Sequence, residues 1–240
     1  MNAALQPTAA DYVRVFERER LERYPVIDAI EARTGFAIER DRLEAAARVL
    51  ACPIKDHPPS WQHGRVLYSV ARQYLASKRE LVTLLDIGTA KGFSALCLQW
   101  ALTDSDALGA VVSVDVLNPD DRVRRNTVAE VDGLKTLHET LAPWSEATAI
   151  TFLRSTGLDW LTRHPARVHL CFVDGKHSGA IVHQEGQLLG VRQEPGDIVI
   201  FDDLQIPGVA LAVKELRALY DVEVIKLNFE RTYGIGVRRG

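Results

Sequence analysis

Three carboxylates stand at the ends of two apolar runs. Leu170-Cys171-Phe172-Val173 leads into Asp174-Gly175-Lys176-His177, and Val199-Ile200-Phe201 leads into Asp202-Asp203. If the two runs are neighbouring parallel strands, their carboxyl ends lie side by side. Asp174, Asp202 and Asp203 can then converge as oxygen donors for a hard divalent cation such as Mg²⁺. Like charges at that range repel, and a cation removes the cost. The competing reading leaves the acids splayed into water or capping helices.

A second constellation precedes the acids. Leu84-Leu85-Asp86-Ile87-Gly88-Thr89-Ala90-Lys91-Gly92-Phe93-Ser94 carries an apolar strand into a glycine turn and then a helix starting near Gly92. Glycine has no Cβ, so backbone there can approach a ligand closely, and open α/β sheets bind ligands beyond the carboxyl ends of their strands. The next apolar run, Val111-Val112-Ser113-Val114, ends on Asp115, a carboxylate able to accept two hydrogen bonds from a ribose diol. Glycine turn and acid together mark a nucleoside-type cofactor. A dinucleotide fingerprint needs a second close-approach glycine where this chain has Ala90, which argues against a pyrophosphate.

The run Asp86-Ile87-Gly88-Thr89-Ala90-Lys91-Gly92-Phe93-Ser94 resembles the first motif of class I S-adenosylmethionine-dependent O-methyltransferases of the catechol and caffeoyl-CoA type. The acidic segments resemble the metal-binding motifs of the catechol-type and macrocin-type enzymes, in which an acid after the fourth strand and an acidic pair after the fifth hold the cation. The likeness spans residues 60–240. It implies that Gly88, Ala90 and Ser94 hold the methionine end of the cofactor, Asp115 the ribose hydroxyls, and the Ser155–Thr156 turn the adenine edge. Asp86 and Asp174 belong to the same cofactor set, and Asp174, Asp202 and Asp203 are the implied metal ligands. The implied base is His177, whose unperturbed pKa of about 6.5 suits proton transfer at neutral pH. Lys176 is the alternative, needing a pKa lowered by burial or by the cation. A capping or positioning role toward Asp174 is the other use open to His177.

Two departures from the relatives stand out. Arg154-Ser155-Thr156 replaces a common glycine-acidic pair, and Gly179 replaces an aromatic residue two positions after the histidine. The implied reaction moves a methyl group from S-adenosylmethionine to a hydroxyl of a small molecule, a catechol, diol or sugar-like natural product, with divalent-metal assistance. Metal-independent methylation of nitrogen or carbon is the main alternative. A nicotinamide oxidoreductase and a non-catalytic cofactor-binding module rank below it.

The elements that must position these residues follow from patterning. Apolar runs at 82–87, 110–115, 149–153, 168–173, 197–201, 222–227 and 233–237 predict seven strands, with amphipathic helical segments between the first six. Such alternation is expected of a parallel sheet covered on both faces. Asn228 to Arg231 is too short for a crossover, so the last strand should return antiparallel as a hairpin. The fold expected is a Rossmann-like α/β class I methyltransferase domain over 60–240, with a helical extension over 1–59 that covers the site's mouth or contacts a second copy in a homo-oligomer. Asp11 and Asp41 mark helix starts in that extension, Pro53, Pro58 and Pro59 break it, and Trp61 to Leu75 repeats apolar residues at helical spacing. Trp61-Gln62-His63-Gly64 is placed either at the site's mouth or in ordinary packing, and His63 and His183 read as structural.

Composition narrows the partners. A net charge of -3 supplies no basic footprint for nucleic acid, and the run Arg122, Arg124 and Arg125 reads as a solvated helix start. Cys52, Cys97 and Cys171 lack metal-ligand spacing and suit a reducing compartment. With neither a signal-like leader nor a membrane-length apolar run, the expectation is a cytoplasmic protein acting on a small molecule.

Overall fold

The computed structural model describes residues 9–51, 60–123, 134–227 and 231–240. Cys52, Pro53, Pro58, Pro59, Arg124, Arg125 and Asn228 therefore lie outside the described residues. Seven strands form one sheet: β1 (Val82–Ile87), β2 (Gly109–Asp115), β3 (Ile150–Arg154), β4 (Leu170–Val173), β5 (Ile198–Phe201), β6 (Tyr220–Lys226) and β7 (Thr232–Arg238). Their order is β3-β2-β1-β4-β5-β7-β6. The first five run parallel, and β7 pairs antiparallel with both β5 and β6. The C-terminal hairpin is thus present, and its second strand inserts between β5 and β6, with Ile200 opposite Ile235 and Val224 opposite Gly234. The strand order reverses between β1 and β4, the switch point where open sheets leave a crevice at their carboxyl ends.

Strand side chains alternate between two cores. Leu84, Val111, Leu170, Phe172 and Ile200 face the helices α1 (Ala9–Glu19), α2 (Pro25–Thr34), α3 (Arg40–Leu50), α4 (His63–Leu75) and α5 (Phe93–Asp104). Leu85, Ile87, Val114, Cys171, Val173 and Phe201 face α7 (Gly157–Arg163), α8 (Gly179–Arg192) and α9 (Pro207–Glu215) on the opposite side. The short α6 (Leu137–Leu141) starts at Thr136, which with Glu139 forms a reciprocal capping box.

One local result differs from the sequence expectation. Every residue of α5 from Phe93 to Leu102 is buried, so this helix is not amphipathic. Its outer side is covered by α4 and α3, and Arg42 of α3 lies 4.4 Å above the Trp100 ring. The N-terminal helices also share the main core: Phe16, Ile27, Leu43, Ala46 and Leu50 are buried in one cluster with Trp61, Leu67 and the sheet. Polar ties reinforce the docking. Arg42 donates to Asp104 at 2.9 Å and to Glu146 at 3.1 Å, and Arg65 donates to Asp28 at 2.6 Å and Glu31 at 2.8 Å.

Candidate active site

The glycine turn after β1 is locked to its neighbours. Gly88 has φ 105°, its N–H donates to Val114 O at 2.9 Å, and a Cβ placed on it would sit 2.2 Å from Asp174 O. The close approach that requires glycine here is therefore to the chain's own β4–α8 turn, with Asp174 N–H donating back to Ile87 O at 2.9 Å. Ala90 adopts φ 45°, sparsely populated for a residue with a side chain. Its N–H donates 2.8 Å to Asp115 Oδ2, while Leu117 N–H donates 2.9 Å to Asp115 Oδ1. Asp115 thus clamps the turn to the end of β2. An ionised carboxylate has about four lone-pair sites, so acceptor capacity remains for hydroxyl donors.

Asp86 and Ser94 support this turn from beneath and do not line the cleft. Asp86 is fully buried, accepts from Ser113 Oγ at 2.5 Å, and Ser113 in turn shares a 2.6 Å hydrogen bond with Thr89. Burial pushes the Asp86 carboxyl up to about 7 against the pull of hydrogen bonds from Ser113 and Ser94.

At the end of β3, Ser155 N–H donates to Asp115 O at 2.8 Å, joining the third strand's turn to the second's. Thr156 caps α7: its Oγ1 accepts from Asp159 N–H at 3.0 Å and donates to Asp159 Oδ2 at 2.8 Å. That hydroxyl is committed to the helix, although Ser155 and Thr156 both line the cleft.

The acids meet where β4 and β5 end. Asp174, His177 and Asp203 each bring one ligand-capable atom within 4.8 Å of the others'. His177 Nδ1 donates to Asp203 Oδ2 at 2.6 Å, so the partner of the histidine is Asp203 rather than Asp174. Asp203 itself has φ 59°, a left-handed conformation that aspartate tolerates better than most residues. Asp202 stands outside this group of three, its Oδ1 accepting the Asp203 N–H at 2.6 Å. Arg231, at the start of the last hairpin strand, reaches back to Asp203 Oδ1 at 2.9 Å and Asp202 Oδ2 at 3.7 Å.

Protonation follows from this crowding. Burial, then the charges of Asp202 and Asp203, hold the Asp174 carboxyl well above its usual range, and burial plus Asp203 raises Asp202 to about 6. Burial also penalises the Asp203 carboxylate, but the hydrogen bond and charge of His177 and the charge of Arg231 outweigh it and pull its pKa down. The Asp203 hydrogen bond in turn raises His177, despite partial burial.

These parts share one cleft of about 1180 Å³. Gly88, Ala90, Asp115, Ser155, Thr156, Asp174, Lys176, His177 and Asp203 line it; Asp202 does not. Lys176 is exposed at its edge. Glu19 and Tyr24 reach the same cleft from the N-terminal extension, hydrogen-bonded to each other at 2.7 Å, beside Trp61 and Gln62. Trp61 also packs on Phe16 at 4.7 Å, so it serves wall and core together. His63 stacks on Phe172 at 5.7 Å and His183 lies 3.5 Å from Glu215, both away from the cleft.

Arg231 and Glu185 line the cleft and were not singled out by the sequence reading. Arg231 belongs to no motif and arrives only through strand insertion. Glu185 of α8 is 2% exposed and raised by burial to about 7. Its signal was present, because Val182, Glu185 and Leu189 fall in one helical stripe whose other members are apolar.

Comparison with known proteins identifies the family and the fold. A family model described as a methyltransferase domain matches residues 85–204, from mid-β1 to the turn after β5. No curated protein sequence matches the chain. Among solved structures, the O-methyltransferase TomG from Streptomyces achromogenes, in complex with SAM, superposes with a TM-score of 0.59 at 18% identity, covering 85% of this chain and 92% of its own. Cofactor-bound Rv0187 from MTB gives 0.57 at 18% identity, with 98% and 100% covered. The O-methyltransferase from Bacillus cereus in complex with SAH gives 0.57 at 11% identity, with 96% and 100% covered. At such identities the superpositions establish the fold, and the family model covers half of the sequence; the chain belongs to the methyltransferase-domain family and is built on the class I methyltransferase fold.

Proposed function

We propose that the protein transfers the methyl group of S-adenosylmethionine to a hydroxyl of a small molecule, a catechol, diol or sugar-like compound, with a divalent cation held among the acids. The observation that carries this reading is the convergence of Asp174, His177 and Asp203 in the cleft that also presents Asp115 and the Gly88 turn. Structures of this fold with SAM or SAH in complex support the cofactor.

When bound, S-adenosylmethionine supplies an electrophilic methyl on a sulfonium, and a divalent cation supplies a Lewis acid that lowers the acceptor hydroxyl's pKa. The carboxylates of Asp174 and Asp203 fit such a cation, and the Asp174 carboxyl, raised by burial and then by the charges of Asp202 and Asp203, faces negative charge that a cation would neutralise. Asp202 supports the set by fixing the Asp203 backbone. Asp115 would orient the cofactor through its ribose, so that the acceptor meets the methyl group in line. With Nδ1 donating to Asp203, a neutral His177 leaves Nε2 free to take the hydroxyl proton. The acceptor oxygen forms the new bond to carbon, the carbon–sulfur pair returns to sulfur, and the proton leaves on the base.

A second reading has one specific observation behind it. The Arg231 guanidinium already places positive charge on Asp203 and Asp202, which a metal-independent methyltransferase could use instead. A methyl-transfer assay across catechols, flavonoids and sugar diols, with Mg²⁺ and with EDTA, separates the two. The metal reading expects activity to vanish with EDTA, return with a divalent ion, and fail in Asp174→Ala and Asp203→Ala. His177→Ala should keep its metal while turnover falls by roughly 10²–10⁴-fold, as for loss of a general base. Full turnover without metal overturns the cation.

A further inference from the structure

Glu185 stands out because a charged side chain occupies the buried stripe of α8. It is 2% exposed, and among the described residues its Oε2 has no hydrogen-bond partner. A buried acceptor left unsatisfied is costly, so its retention calls for a role. The side chain lines the cleft, as do Ile87 and Gly157, and Glu185 Oε1 and the Ile87 side chain both lie against Gly157. Space is kept for it: a Cβ on Gly157 would meet Glu185 Oε1 at 2.3 Å. The polar side chains of the adjoining β3 turn are otherwise engaged, Thr156 with Asp159 and Ser155 Oγ donating to Thr156 O at 2.9 Å. A cleft wall in which one unsatisfied carboxyl sits beside Ile87 and a glycine suits a flat heterocycle that carries an N–H donor at its edge.

We propose that Glu185 is the purine-reading residue of the cofactor site, accepting a hydrogen bond from the 6-amino group of adenine. The assignment rests on the cofactor reading above, in which Asp115 takes the ribose. It moves base recognition from the turn after β3, where Arg154-Ser155-Thr156 offers no carboxylate, to the middle of α8.

The test is calorimetric binding of two probes, S-adenosylhomocysteine and its 6-deamino purine analogue, to the full-length protein. Wild type should prefer the adenine compound by about tenfold to a hundredfold, the worth of one hydrogen bond to a buried acidic group. Glu185→Leu should bind both probes alike. Glu185→Gln retains a carbonyl acceptor and should keep the preference, which also guards against misfolding of the leucine variant. Equal wild-type affinity for the two probes, or a preference that survives in Glu185→Leu, overturns the assignment while leaving the cofactor site in place. Wild type that binds neither probe overturns the cofactor reading and this assignment with it.

Discussion

At the scale of residues, Asp115 and Gly88 hold the cofactor end of the cleft in different ways. Asp115 accepts from two backbone N–H groups of separate turns, so it shapes the site as well as offering it lone pairs. Asp115→Ala should weaken S-adenosylhomocysteine binding by roughly 1.5–3 kcal/mol, the range for hydrogen bonds to a charged group. Calorimetry decides, and unchanged affinity removes Asp115 from the site. Gly88→Ala probes packing instead. Its new methyl would collide with Asp174 O on a backbone already at positive φ, an overpacking that costs about 1–3 kcal/mol before conformational strain is added. The melting temperature should fall by roughly 2–4 °C for each kcal/mol lost in a domain of this size. An unaltered melt would mean that the β4–α8 turn yields.

At the scale of elements, the C-terminal hairpin decides the electrostatics of the acids. Inserting β7 between β5 and β6 brings Arg231 to Asp203 and Asp202. Arg231→Met should lower the melting temperature in EDTA, because two poorly exposed carboxylates lose their cation. It should also enlarge the stabilisation by added Mg²⁺, and equal Mg²⁺ responses in variant and wild type would show that guanidinium and metal do not share these acids. This contact was not legible in the sequence. The loop length at 228–231 foretold an antiparallel return, but which strand β7 pairs with on its other edge depends on tertiary register. What was legible was local: each apolar run, the glycine turn, and acids at the ends of β4 and β5 follow from patterns within a few residues. What was missed was set by neighbours. Burial of α5 on all sides comes from α4, the Thr156 hydroxyl is claimed by Asp159, and the Asp203 turn at φ 59° hands His177 to Asp203.

At the scale of the whole molecule, buried carboxyls make stability depend on pH in an unusual direction. Burial raises Asp86 from 3.8 to about 7 and Glu185 from 4.5 to about 7. Across that interval the native protein keeps protons that the unfolded chain has shed, so stability falls as pH rises. Asp203, Asp197, Glu139 and Glu146 have lowered pKa values, and their stabilisation is already complete above their unfolded values near 4. From pH 6 upward they add no slope. His177 is raised by Asp203, so its contribution is present below 6.5 and lost as pH climbs through its folded value, the same sign as the buried acids. His169, lowered by burial, opposes them singly. The protein without cofactor should therefore melt at a lower temperature at pH 8 than at pH 6. Glu185→Gln isolates one share of this effect, since an amide has no proton to lose. Its melting temperature relative to wild type should rise between pH 6 and pH 8, and a constant difference would mean that the Glu185 carboxyl titrates as an ordinary solvated acid. The same measurement bears on the cleft, because a carboxyl raised by burial is one that little stabilises when charged, and among the described residues the Glu185 Oε2 has no hydrogen-bonding partner.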